Sequence, residues 1–69
     1  MNNSSEIKLR LIEKLKTISE DKEFLLSVIN AAKHNDDRLA LIDYIDNNVD
    51  ATYENIILLS LTLYENREE

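Results

Sequence analysis

The sequence predicts an all-α domain: a small four-helix bundle of short helices, or a three-helix one if the first two helices run on as one. Three observations carry this. The 69-residue chain has no glycine and no proline, against average usage of roughly 7% and 5%. Apolar residues recur at three- and four-residue spacing along most of its length. Clusters of Asn, Asp, Ser and Thr divide those periodic runs. Without glycine, two-residue hairpin turns that need a positive φ are hard to build, whereas helices lose nothing. Any left-handed turn residue is expected to be Asn or Asp.

Residues 1–4 read as a frayed, disordered polar start. Asn3 or Ser5 can cap the first helix, and Asn3 with Glu6 has the spacing of a variant capping box. Ile7, Leu11, Leu15 and Ile18, widened by Ile12, make one apolar face on a helix over about 5–18. Leu9 falls nearly opposite that face. Glu6 and Arg10 have the i,i+4 spacing of a favourable ion pair. Thr17–Asp21 is a junction, where Ser19 or Asp21 can cap a second helix over about 20–33. Nothing in that junction forbids a continuous helix, so one long helix stays open. Phe24, Leu25, Val28, Ile29, Ala31 and Ala32 form the apolar face of the second helix.

Lys33, His34 and Asn35 read as a helix stop, with basic side chains near the negative end of the dipole and then Asn as a left-handed cap. Asp36 and Asp37 open a third helix over about 37–47, whose apolar residues are Leu39, Leu41, Ile42, Tyr44 and Ile45. Asn47–Asp50 form a loop, and Asp50 or Thr52 caps a fourth helix over about 52–66. On that helix Tyr53, Ile56, Ile57, Leu59, Leu61, Leu63 and Tyr64 fill an arc of roughly 200°, with Ser60 inside it. An ordinary surface helix needs an apolar stripe of about 100° or a little more. The fourth helix is therefore expected either to be enclosed by the other three or to share its face with a second molecule. Leu59–Leu63 also alternates like a strand, but no second convincing strand exists to pair with it.

The length allows one domain, residues 1–69. So small a chain buries only about 60% of its unfolded surface, and such scaffolds usually need a staple. The absence of Cys excludes disulfides and thiolate metal sites and fits a reducing compartment. What remains is good helix packing or self-association. No basic segment followed by an apolar one opens the chain, and the longest apolar stretch, Ile56–Tyr64, is far short of the ~20 residues that span a bilayer. A cytoplasmic protein with no membrane partner is expected. Abundant Asn, Ile, Lys and Leu suit an AT-rich bacterial or phage source.

Net charge is −6 and unevenly placed. Residues 1–34 carry six Lys/Arg against five Asp/Glu; residues 35–69 carry two Arg against nine Asp/Glu. An acidic half repels phosphate backbones, so nucleic acid is a disfavoured partner and a basic protein surface a better one.

No catalytic, cofactor or metal site is expected. Phosphate loops and nucleophile elbows require glycine. Ser27 and Ser60 lie on helix faces with no turn to expose them as nucleophiles beside His34, the one histidine. His34 itself reads as a residue at the end of the second helix. Asp46, Asn48 and Asp50 match the first, third and fifth positions of a calcium-binding EF-hand loop. Ala51 stands where its glycine belongs and Ile57 where its bidentate glutamate belongs, so the loop lacks its sharp turn and its last ligand. Residues Leu41–Ile57, a helix, a polar loop and an Asp-Ala-Thr cap before a second helix, resemble the opening of a helix-turn-helix or winged-helix unit. The resemblance covers 17 of 69 residues and implies a local helix-loop-helix shape. It carries over no DNA-contacting residue, because the family follows with a short turn and a polar or basic recognition helix, whereas here the fourth helix continues through Leu58–Tyr64 and the chain ends acidic.

The expectation is a non-enzymatic protein–protein interaction module that self-associates, as a homodimer, through its C-terminal helix pair. Tyr53, Ile57, Leu58, Leu59, Leu61, Leu63 and Tyr64 are the candidate interface. Two alternatives stay open. One is an acidic inhibitor or regulator docking on a basic partner through Asp36, Asp37, Asp43, Asp46, Asp50 and Glu54; the other is a degenerate helix-turn-helix domain with weak or no DNA binding.

Overall fold

Four helices of ten to sixteen residues account for most of the chain: α1 (Ser4–Lys16), α2 (Lys22–Ala31), α3 (Asn35–Asn47) and α4 (Tyr53–Glu68). The computed structural model describes the backbone of residues 4–68 and the side chains of residues 5–67. No strand occurs among the described residues, and Leu59–Leu63 is helical. The expected cap at Asn3 lies outside the described residues, as does most of the polar start. Ser4 already begins α1, which places Ser5 inside the helix rather than ahead of it.

The principal contacts close a ring in the order α1, α2, α4, α3, with the closest pairings between α1 and α3 and between α2 and α4. The extents, 30 × 29 × 24 Å, are nearly equal in all directions. At the centre lie Leu11 and Leu15 of α1, Phe24, Val28 and Ile29 of α2, Ala32 just beyond it, Leu41 and Ile42 of α3, and Ile56 of α4. Their spacing is the reason for the helices: Leu11 and Leu15, Phe24 and Val28 each stand four apart, one turn above the other on the same face. Ser60 is the small residue of this core, and its hydroxyl donates to the Ile57 carbonyl at 2.8 Å. That local bond satisfies a buried polar group and leaves space for close helix approach. Phe24 and Tyr53 stack with ring centroids 4.4 Å apart, fastening α2 to the first turn of α4.

The junction at 17–21 breaks the chain into two helices, which removes the single long helix. Thr17 doubles back on the end of α1, its N–H and its hydroxyl both donating to the Lys14 carbonyl. Asp21 takes the N-cap position of α2 with extended backbone, but its side chain makes no cap bond; its own N–H donates to Ser19 Oγ at 3.2 Å. Thr52 caps α4 as expected from the sequence, its Oγ1 accepting from the Asn55 N–H at 3.3 Å. Asn55 also reaches back to the Asp50 carbonyl, at 2.7 Å, and orders the loop.

Two expectations about turns fail. No described residue has a positive φ, so neither Asn nor Asp serves as a left-handed cap. Asn35 is the first residue of α3, and His34 is the N-cap of that helix rather than the end of α2, with no side-chain cap bond. The reason is that side-chain donors close the helix C-termini instead. The Asn47 amide donates to the Asp43 carbonyl at 2.8 Å and the Asn48 amide to that of Tyr44 at 3.0 Å, finishing α3. At the end of α2, Arg38 folds back from the first turn of α3: its Nε donates to the Ala32 carbonyl at 2.6 Å and its Nη2 to that of Ile29 at 3.4 Å. These are the carbonyls that a helix end leaves unsatisfied. The expected Glu6–Arg10 ion pair does not form within 4.0 Å; α1 is tied to α3 instead by Lys14 and Asp46, 2.6 Å apart.

Replacing Arg38 with Ala should cost about 1.5–3 kcal/mol in urea unfolding, and Arg38→Lys should recover only part of it, since lysine lacks the fork that spans two carbonyls. Leu41→Ala, in the core, should cost about 2–5 kcal/mol, whereas Val49→Ala, on a fully exposed loop residue, should stay within about 0.5 kcal/mol.

Candidate functional site

The apolar arc of α4 divides in two. Ile56 and Ser60 point into the core, and Ile57, Leu59 and Leu63 are half-buried against it. Tyr53, Leu58, Leu61 and Tyr64 are exposed, at 43%, 62%, 47% and 40% of their surface. The helix is therefore not enclosed by the other three: it packs chiefly on α2 and secondarily on α3. Residues 53, 57, 61 and 64 follow one another at four, four and three positions, so they form a stripe along the helix beside its buried face. Leu58 widens the stripe, and Glu54 and Glu65, both exposed, border it. Two shallow depressions mark its course. One, of about 250 Å³, is bounded by Tyr53, Glu54, Ile57 and Leu58. The other, of about 310 Å³, lies where Leu61 and Tyr64 meet Asn30, Ala31 and Lys33 at the end of α2.

The candidate acidic residues are dispersed by their partners. Asp37 is 6% exposed and holds Arg67 in a two-pronged contact, Nε to Oδ2 at 2.9 Å and Nη2 to Oδ1 at 3.3 Å. Asp36, with its side chain 90% exposed, stands 4.0 Å from the same guanidinium. The bond to Asp37 pushes the Arg67 pKa above its ordinary value; desolvation opposes it, and the charges of Asp37 and then Asp36 add to the rise. Asp46 is engaged by Lys14, and Asp43 accepts a bond from the Asn47 amide at 2.8 Å. Asp43, Asp50 and Glu54 remain exposed. Asp36 and Asp37 also sit in the first turn of α3, where the dipole favours negative charge.

Among the described residues, the serines and the histidine considered as nucleophile and base stand apart. Ser60 is buried with its hydroxyl bonded, Ser27 is exposed on α2, and His34 is exposed at the head of α3. Among the described residues no group of three His, Asp or Glu side chains could hold a metal ion, and no helix is long and apolar enough to cross a membrane. Asp46 and Asn48, two of the calcium-loop positions, are turned to Lys14 and to the Tyr44 carbonyl. The helix-loop-helix shape over Leu41–Ile57 is present, with α4 continuing to Glu68.

Sequence reasoning missed one surface. A groove of about 490 Å³ runs between α1 and α2 over an apolar floor of Ile12, Leu25, Leu26 and Ile29, with Lys8, Lys16 and Lys22 on its rim. Leu26, 58% exposed, was the available signal: it adjoins Leu25 and cannot share the core face of α2 with Phe24 and Val28.

Cutting the contact between Asp37 and Arg67 should loosen the far end of α4. Asp37→Ala should lower Tm and speed amide exchange over the last two turns of that helix, Asp37→Asn should do so less, and Asp36→Ala should leave both unchanged. When compared with protein-family models, curated proteins and solved structures, the chain matches none of them.

Proposed function

We propose that the protein is a protein–protein interaction module that works by self-association, with the exposed stripe of α4 as its contact face. The observation that supports this most is the outward position of Leu58 and Leu61 between Tyr53 and Tyr64 on one helix. A monomer of this size gains little by exposing such a row. Two leucines and two tyrosines can anchor an interface once water is excluded, with the tyrosine hydroxyls left wet at the edge. The scaffold behind the stripe is suited to presenting it. We read the ring of four helices as a short four-helix bundle, with the Phe24–Tyr53 stack and the Asp37–Arg67 contact holding both ends of α4. In α3, Leu39 is also 44% exposed, so the C-terminal helix pair offers more apolar surface than α4 alone.

The reading rests on shape and residue type and involves no catalysis. A cytoplasmic setting agrees with it. The rival reading, an acidic regulator of a basic partner, has weaker support, because Asp37 and Asp46 are already paired within the molecule.

Light scattering coupled to size exclusion tests it directly. Association is expected at micromolar concentration, and a strictly monomeric 8.0 kDa species at high micromolar concentration would sink the reading. Leu61→Glu and Leu58→Glu should abolish association while retaining helical content and cooperative unfolding. Ile56→Glu, in the core, should unfold the chain instead, by placing a charge where nothing pairs with it.

A further inference from the structure

The molecule carries two unpartnered apolar surfaces of opposite charge character. One is the stripe of α4, bordered along the helix by Glu54 and Glu65, with Lys33 of the neighbouring segment near its Leu61–Tyr64 end. The other is the α1–α2 groove, whose rim holds Lys8, Lys16 and Lys22. Among the described residues none of these three lysines has a carboxylate within 4.0 Å, although Lys14, on the same helix as two of them, has found Asp46. We infer that the α1–α2 groove of one copy receives the α4 stripe of the next, so that self-association is head-to-tail rather than two-fold. This rests on the self-association proposed above and names the surface that the stripe meets.

Charge argues for it. A two-fold contact of α4 on α4 sets Glu54 and Glu65 of one copy against the same residues of the other, and like charges facing across an interface oppose association. Seating α4 in the groove sets them against lysines. The dimensions agree: Lys8 and Lys16 are about 12 Å apart along α1, and Glu54 and Glu65 about 16 Å apart along α4, at ~1.5 Å per residue. The flexible lysine stems span the difference while lying along the apolar floor. The floor itself, Ile12, Leu25, Leu26 and Ile29, is made of aliphatic residues like Ile57, Leu58 and Leu61 that it would cover. Donor and acceptor surfaces are different parts of the chain, so an open assembly of any length keeps one stripe and one groove unused at its ends, and it either closes as a ring or grows as a filament.

Complementation of two variants separates this arrangement from a two-fold dimer. The first variant has Lys8→Glu, Lys16→Glu and Lys22→Glu and keeps its stripe; the second has Leu61→Glu and keeps its groove. Head-to-tail association predicts that the wild type grows past the dimer as concentration rises. Each variant alone should be monomeric, and an equimolar mixture should form a one-to-one complex of twice the 8.0 kDa chain mass. High salt should dissolve that complex. Circular dichroism establishes that each variant is folded; if Leu61→Glu is not, Leu58→Glu replaces it. Adding Glu54→Lys and Glu65→Lys to the triple variant should restore its association with itself. A triple variant that still dimerises as the wild type does, or a mixture of two folded variants that stays monomeric, overturns the head-to-tail arrangement while leaving self-association through α4 standing. A wild type that is monomeric throughout overturns both.

Discussion

Every helix end exposes carbonyls that no further turn can satisfy, and this glycine-free chain recruits side chains as well as backbone N–H groups to close them. That constraint shapes the molecule at the start of α3. Arg38 reaches back to the Ala32 and Ile29 carbonyls and ends α2. Its neighbour Asp37 reaches across to Arg67 and holds the end of α4. Two consecutive residues on the first turn of one helix therefore fix the exits of two others. Thr17, Asn47 and Asn48 close the remaining ends in the same way, each donating to a carbonyl three or four positions back. The connections stay short because each is a side-chain clasp rather than a loop with conformations of its own.

With the corners held this way, the core needs little volume. Among the described residues nine apolar side chains and one serine fill it, drawn from all four helices and from Ala32 at the end of α2. The same economy leaves α4 short of cover. A fourth helix enclosed on every side needs more neighbours than three short helices provide, and α4 has α2 on one flank and α3 on another. The surplus apolar arc seen in the sequence is accordingly split between Ile56 inside and Leu58 and Leu61 outside.

The four helices were legible in the sequence because each carries its apolar residues at helical spacing, and their observed bounds depart from the expected ones by two residues or fewer at every end. Thr52 was legible as a cap because its partner, Asn55, is three positions away. What escaped was long-range. Arg38 bonds across six and nine positions and Arg67 across thirty, and neither partner announces itself in a local pattern. His34 was misplaced for the same reason, since the basic residue that closes α2 comes from the next helix. The exposed stripe was legible as an excess of apolar residues on α4, but the groove was not, because it is built from two helices whose separation no periodicity records.

The ring order α1, α2, α4, α3 has a consequence for how the chain reaches this structure. The closest pairings join α1 to α3 and α2 to α4, so each N-terminal helix finds its main partner in the other half of the chain. The sequence-adjacent pairs, α1 with α2 and α3 with α4, share the lesser contacts. Such non-local pairing predicts that isolated helices gain lasting stability only when the two halves of the chain meet. By the same connectivity, releasing one helix strips the principal packing partner from another, which favours unfolding as one cooperative unit.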